Sequence, residues 1–81
     1  MPILPLGDSA AVIVLGDTVD ARLVARVRVV AEEIGRHPPA GVVDVVSVFA
    51  SVAVFFDPVR TAPFEVLAQE LEARVAQADD A

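Results

Sequence analysis

The chain has 81 residues, twelve acids against six arginines, no lysine and no cysteine, for a formal charge of −6. This length supports one domain, the missing cysteine excludes disulfides and thiolate chemistry, and the acidic balance argues against a nucleic-acid partner. Hydrophobic residues make up 56% and mean hydropathy is +0.64, so part of the apolar surface is expected to lie against a second copy, a partner or another domain. The arginine-only usage reads as genomic base composition rather than function.

The chain opens with a short apolar run, Ile3–Leu6, in which Pro5 lacks the N–H of a ladder and so suits an edge strand or strand end. The N-terminus has no basic region ahead of an apolar run, which argues against a signal peptide. Gly7-Asp8-Ser9-Ala10 then reads as a turn: Gly7 can take positive φ and Asp8 can bond its own backbone. Ala11–Leu15 is apolar at every position, as an interior strand is, and Gly16 ends it.

Asp20 is a candidate N-cap for a first helix, with Val19 and Val24 at the spacing of a hydrophobic staple. Leu23, Val27, Val30 and Ile34 recur at intervals of four, three and four, an apolar stripe that can cover a sheet. Gly35 and the pair Pro38-Pro39 stop the helix.

Gly41–Pro58, GVVDVVSVFASVAVFFDP, is the stretch around which the rest is organised. Its β-branched and aromatic density predicts two strands, with a turn at Ala50-Ser51 and Asp57-Pro58 as the end. Its longest charge-free segment, Val45–Phe56, has twelve residues, short of the roughly 20 that cross a membrane as a helix. A second helix begins near Thr61–Pro63 and carries Phe64, Leu67, Leu71 and Val75 on one face. The tail Gln77–Ala81 is expected to fray, because Asp79 and Asp80 face the negative end of a helix dipole.

The order β-β-α-β-β-α predicts an α+β two-layer sandwich: a mostly antiparallel four-stranded sheet with two helices on one face, a ferredoxin-like variant. Residues 1–78 form the single domain and 79–81 the frayed tail. The other sheet face has no cover within the chain, and a partner is expected there.

No catalytic set emerges. His37 is the sole histidine and reads as a solvated loop residue; Ser9, Ser47 and Ser51 lack the glycine elbow of a nucleophile. Asp8, Asp17, Asp44 and Asp57 lack metal-ligand spacing, and Gly16-Asp17 carries too few glycines, and an acid, for a phosphate loop. No catalytic, cofactor-binding or metal residue is therefore assigned. The hairpin is the interaction candidate, through Val48, Phe49, Val52, Val54 and Phe56, either as sheet core or as an edge offered to another chain.

Three segments together resemble a known family. Leu6-Gly7-Asp8-Ser9-Ala10 precedes a hydrophobic strand, Gly41–Val46 opens the hairpin, and Ser51–Pro58 ends it with an aromatic pair before Asp-Pro. This is similar to the N-terminal domain of the 5-oxoprolinase and KipI family, which includes proteins named allophanate hydrolase subunit 1. The chain departs from the pattern at Ser47, where relatives commonly have proline, and at Val24, often asparagine. The family's C-terminal cyclophilin-like domain is absent. The resemblance implies a cytoplasmic, non-catalytic domain that contributes through subunit contacts to ATP-dependent hydrolysis of 5-oxoproline to glutamate. ATP is then implied for the complex and not for this chain. The alternative it implies is a module that binds and inhibits a sensor histidine kinase. Gly7, Asp8, Ser9 and Ala10 form a signature turn of structural role, and a homo-oligomer is a third possibility.

Overall fold

The computed structural model describes residues 2–18 and 20–80. Its elements are β1 (Ile3–Leu6), β2 (Ala10–Val14), α1 (Ala21–Arg36), β3 (Val42–Val48), β4 (Ser51–Phe56) and α2 (Phe64–Asp80). All pairings are antiparallel and the sheet order is β1-β2-β4-β3. This is the order of a ferredoxin-like sandwich whose last strand has moved to the front of the chain. Here β1 is joined to β2 by the tight turn at Gly7, at φ 65°, so no strand is needed after α2.

Both helices pack on one sheet face, as expected. Ala11 and Ile13 of β2 meet Val52, Val54 and Phe56 of β4, and this layer closes on Val27, Val30 and Ile34 of α1 and Leu67, Leu71 and Val75 of α2. Ala78 adds a further turn of α2 to the core.

Asp20 caps α1: its carboxylate accepts from the Leu23 N–H at 2.9 Å. The proposed staple partner Val19 lies outside the described residues. At the other end, Arg74 of α2 donates its Nε–H to the His37 carbonyl at 2.6 Å. A cation thereby meets the carbonyl end of α1, where the dipole favours it.

Two expectations need correction. The hairpin turn is Phe49-Ala50, one residue earlier than Ala50-Ser51, because Val48 pairs directly with Ser51. α2 continues to Asp80, so Asp79 and Asp80 are helical; Ala81 lies outside the described residues. Burial of Ala78 anchors this last turn, and Asp79 takes both Nε–H and Nη2–H of Arg26, each at 3.0 Å. A two-pronged ion pair to α1 outweighs the unfavourable dipole of one exposed end.

Candidate interaction surface

The register divides the hairpin residues by parity. Val52, Val54 and Phe56 point at the helices and are buried in the core, so they cannot meet a partner in the folded domain. Their place in the interaction set is corrected for that reason. Val48 is 44% exposed and Phe49 is 83% exposed, and these two remain available.

The uncovered face carries the opposite parity. At one end Leu6, Ala10 and Phe55 line up with Asp44 across the four strands. The middle row is Leu4, Val12, Ala53 and Val46. At the far end Val14, Ser51 and Val48 lead to the Phe49 tip. Leu4 and Leu6 are more than half exposed, and Val46 and Phe55 more than a third. An apolar sheet face of four strands is thus open to water, which single domains ordinarily cover. Sequence reasoning foresaw the bare face and missed Leu4, Leu6, Val46 and Phe55 on it. The available signal was Ser51 and Ala53: the smaller residues of β4 share one parity, the bulkier Val52, Val54 and Phe56 the other.

Phe49 sits at φ 48° in a two-residue hairpin turn. That left-handed conformation costs a non-glycine residue about 1–2 kcal/mol. The strain presents a large aromatic ring to solvent.

The edge strand β3 is less open than its composition suggests. Asp44 opposes Phe55, and its carboxylate accepts from the Val45 N–H at 2.9 Å. Val45 lies in a non-hydrogen-bonded pair of this hairpin, so the capped N–H is one that an added strand would need. Val43, the extra residue of a bulge, further disrupts that edge.

The signature turn is structural in this geometry. Gly7 supplies the positive φ, and the Ser9 carbonyl accepts from Phe56 N–H at 2.9 Å, tying the turn to β4. Gly7 and Asp8 also rim a depression of about 340 Å³ floored by Phe56, Pro63 and Phe64. Asp57 ends β4: its N–H bonds the Gly41 carbonyl and its carboxylate takes the Val59 N–H.

The weighed catalytic candidates are dispersed. His37 ends α1 with Nε2 3.9 Å from Glu33, Ser9 lies in the first turn, Ser47 on β3 and Ser51 on β4. Among the described residues no three His, Cys, Asp or Glu side chains cluster to hold a metal, and no helix is long and apolar enough to cross a membrane.

Comparison with solved structures finds this architecture elsewhere. A conserved uncharacterized protein of Pyrococcus horikoshii superposes with a TM-score of 0.83 at 30% identity, over 98% of this chain and 36% of the other. The chain therefore spans about a third of that protein's length. The N-terminal domain of the histidine kinase inhibitor KipI from Bacillus subtilis matches with a TM-score of 0.78 at 28% identity, over 95% of this chain and 85% of the other. No curated protein matches significantly in sequence. The family model for the carboxyltransferase domain, subdomain C and D, matches residues 1–81. The chain belongs to this carboxyltransferase subdomain C and D family, the group of KipI and 5-oxoprolinase-like proteins to which its three marker segments pointed.

Proposed function

We propose that this chain is a protein-binding domain that inhibits a sensor histidine kinase, in the manner of the inhibitor whose N-terminal domain it matches. The observation that carries the reading is the open apolar face beside a strained, exposed Phe49, on a fold shared with that inhibitor domain. The domain works by contact and performs no chemistry of its own. The test is the initial rate of autophosphorylation, from labelled ATP, of the histidine kinases native to the same cell. The purified chain should slow one of them in a saturable way. An unchanged rate for every kinase at saturating chain sinks the reading.

A second reading is favoured by the chain's coverage of only 36% of the Pyrococcus protein. In it the domain is a part of a larger 5-oxoprolinase assembly and contributes through subunit contacts, with ATP used by the other subunits. Affinity capture from native lysate, read by mass spectrometry, should then recover those subunits. The captured complex should turn over 5-oxoproline only with ATP. Turnover by the chain alone contradicts both readings.

A further inference from the structure

The open face has the shape of a trough. Its floor, on β2 and β4, carries the smaller Ala10, Val12, Ser51 and Ala53; its walls carry Leu4 and Leu6 on β1 and Val46 and Val48 on β3. Three strand spacings set the walls about 14 Å apart, enough for one α-helix of about 10 Å diameter. Strands of five to seven residues run about 17–23 Å, the length of a helix of roughly 12–15 residues.

Size and charge narrow the occupant. The footprint is on the order of 300–400 Å², under half of the roughly 800 Å² that each partner gives to a standard interface. A homodimer on this face alone would be weak, and −6 on each copy opposes it further. Strand addition at β3 is hindered by the Asp44 cap and the bulge. No strand carries a cation, while Asp44 lies on the face and Asp8 and Asp57 flank the same end of the sheet.

We propose that this trough seats one amphipathic α-helix of a partner protein. The helix lies along the strands with its apolar stripe on Ala53 and a cationic residue at the Asp44 end. The proposal rests on the binding reading above and names its surface.

The probe is a synthetic 14-residue peptide with leucines at helical spacing and lysines elsewhere, titrated into the labelled chain and followed by amide NMR shifts. Shifts should concentrate on Leu4, Leu6, Val12, Val46 and Ala53. A peptide of equal composition with alternating leucines should bind at least tenfold more weakly. Ala53→Arg should weaken the helical probe at least tenfold; Val46→Lys, at an already exposed site, serves if the first variant does not fold. Asp44→Asn should cost about three- to fivefold with the lysine probe and nothing with a glutamate version. Shifts centred on α1 or α2, equal binding of the alternating peptide, or no binding overturn the proposal. So does a dimer of the free chain that broadens the same amides, which gives the face to a second copy. The kinase assay separates the two readings. Inhibition retained by a variant that has lost the probe sinks the trough alone; probe binding without any inhibition sinks the kinase reading alone.

Discussion

Replacing Phe49 by glycine should leave the domain as stable as before or slightly more stable, while weakening its hold on a partner. The backbone at φ 48° costs phenylalanine about 1–2 kcal/mol, which glycine escapes. Glycine gives back about 0.5–1 kcal/mol through the greater freedom of the unfolded chain. The ring is 83% exposed, so its lost burial amounts to at most about 0.5 kcal/mol, a sixth of what full burial of phenylalanine yields. The balance is between zero and about 1 kcal/mol of stabilisation. Urea unfolding of both forms, with unchanged m-values, measures it. Phe49→Asn, which keeps a side chain but tolerates left-handed backbone, should behave alike. A loss above about 1 kcal/mol in both variants would refute the reasoning, since the ring would then be packed in the isolated domain.

Other substitutions test the scaffold. Gly41 has φ 87°, and a Cβ there would stand 2.8 Å from the backbone of Arg60 and Thr61; Gly41→Ala should cost about 2–4 kcal/mol in urea unfolding, strain and clash together. Asp20→Ala should cost about 1 kcal/mol by losing the cap on the Leu23 N–H, and Asp20→Asn much less. The Asp79 carboxyl is held below its ordinary value chiefly by its hydrogen bonds to Arg26, so its contribution is present above the unfolded carboxylate value and lost as pH falls through the lowered native one. Both side chains are more than a third exposed, so Asp79→Asn should cost no more than about 1 kcal/mol at pH 7, even for a two-pronged pair. The difference should vanish near pH 2 and shrink in high salt, as unfolding at several pH values would show.

The two helical stripes, Leu23–Ile34 and Phe64–Val75, were legible because a 3.6-residue period writes one buried face into the chain. So were the element order and the bare sheet face. Which side of the hairpin that face occupies was harder to read. In β4 both parities are largely apolar, and a one-residue shift exchanges core for surface. The parity is decided by pairing with Ala11 and Ile13, forty residues away. The same holds for the end of α2, where Arg26 holds Asp79 across 53 residues of sequence. Local charge rules see Asp79 against a dipole; only the packed pair of helices supplies its partner. The tip at Phe49 was invisible for another reason: turn chemistry favours glycine or asparagine at positive φ, and the chain uses phenylalanine instead.

The Asp44 cap on Val45 bears on how this protein stays dispersed. β3 reads VVDVVSV and lies at a sheet edge. With valine at position 44 the strand would be six valines and a serine, uncharged and without proline, the composition that stacks into cross-β fibrils. One carboxylate breaks that run and occupies a backbone donor that fibril growth would recruit. Asp44 thus acts as a gatekeeper during synthesis and refolding, when β3 is bare and no partner has yet arrived. An Asp44→Val chain should fold to the same sandwich and yet form thioflavin-positive aggregates at concentrations where the parent chain stays clear.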